Sequence, residues 1–113
     1  MTSAERRLLD VMLDTGFAGS AELGKQADSA LVTHVESKGS PALLFRITSD
    51  APRAFVSRRV PVEGYTSETD GRAIQCLLHV VRGQLTEMEF FRENGEPIEN
   101  LPAPQDLKVI VNQ

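Results

Sequence analysis

A chain of 113 residues, 41% apolar and 25% charged, has the size and make-up of one globular domain, so disorder is not the expected state and little room is left for two domains. The formal net charge of −4 is unevenly spread: residues 1–60 carry eight Lys/Arg against seven Asp/Glu, residues 61–113 four against nine. An acidic second half argues against nucleic acid as a partner, because phosphate binding needs a basic footprint, and fits a basic protein partner instead.

The chain opens on a polar stretch, Met1–Arg7, without the apolar run of a signal peptide, and no apolar run approaches the ~18 residues that span a bilayer. The expectation is a cytoplasmic protein that does not enter membranes. Thr2-Ser3-Ala4-Glu5 has the pattern of a capping box. Leu8, Leu9, Met12 and Leu13 follow at helical spacing and Gly16 suits a left-handed stop, so a first helix is predicted over about Ser3–Thr15. Ser20 is the expected cap of a second, shorter helix to about Ala27, with Ala21, Leu23 and Ala27 inward and Phe17 anchoring the connection.

From Leu31 the pattern turns to strands. Leu31–Val35 is rich in β-branched residues, and Lys38-Gly39-Ser40-Pro41 signals a turn. Leu43, Phe45 and Ile47 alternate with Leu44, Arg46 and Thr48 until Ser49–Pro52 breaks the strand. A further extended stretch is predicted over Ala54–Val62, at an edge or a strand end because of Pro61. Arg53, Arg58 and Arg59 there form a basic cluster with Phe55 interleaved, which a solvated edge strand explains better than a single-strand nucleic-acid face.

After a turn at Asp70-Gly71 comes the strongest strand, Arg72–Val81, apolar on both faces and therefore central: Ile74, Cys76, Leu78 and Val80 on one, Leu77, His79 and Val81 on the other. Arg82-Gly83 closes a hairpin into Leu85–Arg92. A two-residue turn would set Leu78 opposite Glu87. A three-residue loop with a glycine bulge keeps Met88 and Phe90 on the face of Cys76 and Leu78, and is preferred because the slip would bury carboxylates. Short strands are expected around Pro97-Ile98 and over Leu107–Val111. The predicted fold is a single α+β domain over residues 1–113, two N-terminal helices packed on a mainly antiparallel sheet of four to six strands, with Leu9, Met12, Leu13, Phe45, Ile74, Leu78 and Phe90 in the core.

The segment Ile74–Leu85, continuing through Glu87-Met88-Glu89-Phe90-Phe91-Arg92 to Gly95-Glu96-Pro97-Ile98, resembles a small family of uncharacterised bacterial proteins that share a stretch of the form LLHVV-x-G-x-L-x-E-L-E-x-[FY]-R-x-x-G-x-P-I. The resemblance covers about the last third of the chain. It implies an α+β fold and a bacterial, cytoplasmic setting, and it transfers no catalytic residue.

Catalytic and metal chemistry finds little support. A lone Cys76 excludes an internal disulfide and suits a reducing compartment. Three residues apart on one strand, Cys76 and His79 point to opposite faces, so they make no nucleophile–base pair, and Cys76 is expected as a buried hydrophobe. His79 is expected to bond Thr86 or Glu87 across the hairpin. His79, Glu87 and Glu89 form a conceivable metal set, and Glu87 with Glu89 a conceivable acid/base pair, yet solvated sheet faces carry such groups routinely. No catalytic residue, metal or cofactor is assigned. The expected function is non-enzymatic protein binding, in the manner of an immunity protein or adaptor, through Glu87, Glu89, Glu93 and His79. The alternatives are a small-molecule pocket between helices and sheet, or a small hydrolase using the acidic sheet face.

Overall fold

The first helix forms where its cap and periodicity place it. In this computed structural model, which describes residues 1–48, 50–68 and 71–112, α1 runs over Ser3–Leu13. The Thr2 hydroxyl accepts from the Glu5 N–H at 3.1 Å, and the Glu5 carboxylate accepts from the Thr2 N–H at 2.7 Å. The capping box thus satisfies two of the donors that a helix start leaves without partners. Leu8, Leu9, Met12 and Leu13 line the buried side. The second helix, α2, spans Ser20–Ser29 and differs from expectation at its start: Gly19 is the cap, and no side chain bonds there. Its first-turn N–H groups lack a side-chain acceptor, and packing of Leu23, Gln26 and Ala27 holds it instead.

Six strands follow: β1 (Leu31–Ser37), β2 (Ser40–Arg46), β3 (Val62–Tyr65), β4 (Ile74–Val81), β5 (Gln84–Arg92) and β6 (Lys108–Val111). They form one sheet in the order β1-β2-β5-β4-β3-β6, and every neighbouring pair is antiparallel. The fold is therefore α+β, two N-terminal helices over one face of a six-stranded antiparallel sheet. All seven residues named for the core are buried, from Leu9, Met12, Leu78 and Phe90 at 0% exposure to Phe45 at 8%. The layer between helices and sheet is filled by side chains such as Leu8, Leu23, Leu43 and Met88.

The β4–β5 hairpin is built differently from the preferred reading. Val81 pairs with Gln84, so the turn has two residues, Arg82 and Gly83, at φ +54° and +75°, the positive pair of a type I′ turn. On a regular ladder that turn would bring Glu87 against Leu78. Instead the register shifts between His79 and Val80: Val80 pairs with Leu85 and His79 with Glu87, leaving Thr86 as an extra, bulged residue. Leu78 then meets Met88 and Cys76 meets Phe90, as the burial argument requires. Gly83 is needed twice over, for its positive φ and because a Cβ there would lie 2.7 Å from the Ala54 carbonyl.

Two expected strands are absent. Residues 51–61 form no strand; the segment crosses the end of the hairpin, with the Ala54 N–H bonded to the Gly83 carbonyl at 2.9 Å and the Val80 N–H to the Arg59 carbonyl at 2.7 Å. The strand holding Val62 begins only there, and it lies between β4 and β6 rather than at an edge. Pro97-Ile98 is not a strand either: the Ile98 N–H makes one bond, 2.9 Å, to the Gly39 carbonyl in the β1–β2 turn. The predicted turn at Asp70-Gly71 and the break at Ser49 fall partly outside the described residues.

Candidate functional site

The register of β4 and β5 decides which side chains share the face away from the helices. With Cys76, Leu78 and Val80 turned to the core, Gln75, Leu77, His79 and Val81 face the other way. Thr86 is bulged, so Glu87, Glu89 and Phe91 of β5 join them. No helix packs on this face among the described residues.

At its centre His79 stands directly opposite Glu87, while its Nε2 meets Glu89 Oε1, diagonally across the ladder, at 2.9 Å. The expected partner was Thr86 or Glu87; the bulge turns the Thr86 hydroxyl away to the Gln84 carbonyl, 3.0 Å distant, and the diagonal carboxylate takes the imidazole. The His79 side chain is 14% exposed and that of Glu89 38%. Glu93 lies two positions beyond Phe91, where Gln75 Nε2 donates to its Oε1 at 3.0 Å. Of the four residues named from sequence, His79, Glu87 and Glu89 form one cluster and Glu93 stands apart.

The three clustered residues each offer a ligand atom, all within 4.8 Å of one another. A metal-bound histidine normally passes its other N–H to an acceptor, which fixes the ring and its tautomer. Here Nδ1 of His79 is buried without a hydrogen-bond partner, so the supporting shell of a built metal site is missing. The two carboxylates stand half-buried on the sheet face away from the helices, Glu89 paired with His79. Cys76 takes no part: it is fully buried on the opposite face, and burial, with the Glu89 charge behind it, pushes its thiol pKa far up.

Half-exposed apolar side chains share this sheet face. Leu44, opposite Glu87, is 38% exposed. Leu31 and Val35 of β1 are 51% and 40% exposed, and Ile110 of β6 is 42% exposed. All four lie on the same open face by register. A one-sided antiparallel sheet ordinarily alternates apolar-in with polar-out, and these large apolar groups on the outer face, Leu31 and Val35 on one edge strand and Ile110 on the other, depart from it. The Arg53 side chain of the expected basic edge donates to the Arg82 carbonyl at 2.8 Å, and Phe55 stands 91% exposed in the same irregular segment.

Two polar contacts escaped the sequence reading. Gln26 is fully buried, and its position three residues after Leu23 and one before Ala27 was the available signal that it faces inward. Glu5, read as a cap alone, is also buried and lies 3.0 Å from Nε2 of His34 through both carboxylate oxygens. No helix among the described residues is long and apolar enough to cross a membrane. A scan of protein-family models and searches of curated proteins and of solved structures find no match to this chain.

Proposed function

We propose that this domain is a non-enzymatic protein-binding module, in the manner of an immunity protein or adaptor, and that the sheet face around His79, Glu87 and Glu89 receives a basic segment of its partner. The observation that carries this reading is the open face, where two carboxylates at the centre adjoin the half-exposed Leu44. Apolar groups supply burial and the carboxylates select a cationic side chain, which is the division of labour in protein interfaces. The alternative of a ligand pocket has less behind it: buried side chains fill most of the layer between helices and sheet, and the cavity of about 490 Å³ at its edge, lined by Glu5, His34 and Leu43, is bordered by the Glu5–His34 pair.

The test begins by capturing partners on the immobilised domain and continues by titrating the captured protein against variants. Glu87→Gln with Glu89→Gln and Glu93→Gln lowers the association rate and shrinks its salt dependence, while Leu44→Asp abolishes binding. Asp14→Gln with Glu22→Gln on the helices is the neutral control; Asp10 is unsuitable because it pairs with Arg6 at 2.9 Å. An association rate unchanged at low salt in the sheet-face variant overturns the proposal.

A further inference from the structure

The sheet has two edges, and the fold treats them differently. β6 is short, four residues, and begins with Lys108. Both features discourage strand addition. The other edge, β1, has seven residues, of which six are exposed. It contains no proline and no lysine, and its pairing with β2 runs without a bulge from Leu31↔Arg46 to Ser37↔Ser40. Of the usual protections of an edge, β1 has only one charged side chain, Glu36, and neither proline, lysine nor bulge.

The register fixes which of its backbone groups are free. Lys38 and Gly39 have φ of +51° and +80°, so Ser37 and Ser40 flank a two-residue turn as a hydrogen-bonded pair. Hydrogen-bonded and non-hydrogen-bonded pairs alternate along an antiparallel ladder. Val35 and Thr33 therefore turn their N–H and C=O groups inward to β2, and Val32, His34 and Glu36 turn theirs outward. Pro41 opposite Glu36 agrees, since the position asks β2 for no N–H.

We propose that β1 pairs with β1 of a second copy, antiparallel about a two-fold axis through His34, to make one continuous sheet. This alignment overlaps the whole strand. It sets Val32 against Glu36 of the other copy and His34 against its own counterpart, and uses all three outward-facing residues on each side, roughly six backbone hydrogen bonds. Side-chain chemistry favours a second copy over an unrelated strand. Glu36 lies diagonal to His34 of the other copy, twice by symmetry, so each carboxylate gains within about 7 Å an imidazole whose Nε2 is already held by Glu5 at 3.0 Å. On the open face Val35 lies diagonal to Leu31 of the other copy, and these two exposed apolar groups cover each other. The proposal does not rest on the protein-binding reading, and its test needs no partner.

Sedimentation equilibrium of the whole chain reports the association directly. The apparent mass rises from the 12.4 kDa of one chain towards twice that value at tens to hundreds of micromolar, roughly the range for so small an interface. Glu36→Pro removes an N–H that the β1–β2 ladder does not use, so the monomer keeps its circular dichroism while the dimer dissociation constant rises at least roughly tenfold. Register is read by oxidation. His34→Cys cross-links to itself, because a hydrogen-bonded antiparallel pair sits at about 5.5 Å between Cα atoms, inside disulfide range. Thr33→Cys faces Val35 and does not cross-link. The native Cys76 is buried and adds no background. A wild-type chain monomeric throughout the range, a folded Glu36→Pro variant that dimerises as before, or cross-linking at Thr33→Cys in place of His34→Cys each overturns the proposal.

Discussion

The side-chain amide of Gln26 is locked to the backbone of Leu85: its Oε1 accepts the Leu85 N–H at 2.8 Å. Its Nε2 donates to the Gly83 carbonyl at 2.9 Å and to the Pro52 carbonyl at 2.8 Å. One buried amide therefore joins α2, the hairpin turn and the segment that crosses it. Gln26→Leu removes all three bonds and leaves the buried Leu85 N–H without a partner, while the Gly83 carbonyl keeps its bond from Ala54. The expected loss is about 2–4 kcal/mol, read as a lower urea midpoint at unchanged slope.

The bulge at Thr86 makes an unusual prediction about deletions. Removing one residue from a strand ordinarily throws every later side chain to the wrong face. Deleting Thr86 removes the residue that is already extra, so Glu87 stays opposite His79 and Met88 opposite Leu78. That variant folds, with a stability change within about 1 kcal/mol. Deleting Glu89 instead shifts the residues after it, turning Phe90 outward opposite Leu77 and Glu93 inward against the buried Ile74, and this variant does not fold. Circular dichroism and thermal melts of the two deletions distinguish them at once.

At the same hairpin, Arg82 holds a positive φ of 54° without the freedom of glycine. Arg82→Asn keeps the backbone Arg82 uses to bind Arg53 and suits the type I′ position better, so it raises stability by roughly 0.5–1 kcal/mol. A lower melting temperature would show that the arginine side chain contributes more than its backbone costs.

Acid sensitivity follows from Glu5. Burial alone would raise its pKa, but the Thr2 N–H, His34 and the Thr2 hydroxyl together bring it below the ordinary 4.5. A carboxylate whose folded pKa is depressed stabilises the fold fully above its unfolded value. It loses that contribution as pH falls through the folded value. Urea midpoints should therefore hold near neutrality and decline below about pH 4.5, and Glu5→Gln should flatten that decline. Thr2→Ala, which removes one side of the capping box, costs about 1 kcal/mol at neutral pH.

Cys76 offers a clean probe of global opening. Its thiol is fully buried and its pKa is pushed up by burial, so a thiol reagent should react only through unfolding. Native labelling should be slower than labelling in denaturant by roughly a thousandfold or more. Rapid native labelling would place the residue at an accessible site.

Much of this architecture was legible because its signals are local. Leu8, Leu9, Met12 and Leu13 repeat at the helical period behind a capping box, and β4 alternates over eight residues. Even the placing of Met88 and Phe90 on the face of Cys76 and Leu78 followed from refusing to bury carboxylates. The route to it, a tight turn plus a bulge at Thr86, did not, because two local geometries give the same faces. Val56 and Val60 mimic a strand, yet their segment makes single backbone hydrogen bonds with Gly83 and Val80 of the hairpin and no ladder, a long-range outcome that no short window reports. For the candidate site, strand parity put Glu87 and Glu89 on one face; the choice of Glu89 over Glu87 as the partner of His79 depended on the bulge.

The strand order β1-β2-β5-β4-β3-β6 also sets the order in which the molecule can assemble. β1 with β2, and β4 with β5, are ribbons closed by two-residue turns, each able to zip within microseconds from neighbouring chain. The seam between them is another matter: Leu44 meets Glu87 across 43 positions of sequence, and Leu43 meets Met88 beside it. Until that long loop closes, two ribbons drift with their inner edges bare, and the entropy of closure precedes any reward from the core. Substitutions along the seam, at Leu43 or Met88, should therefore slow refolding, while those in the far corner, at Val109 or Val111, should chiefly hasten unfolding.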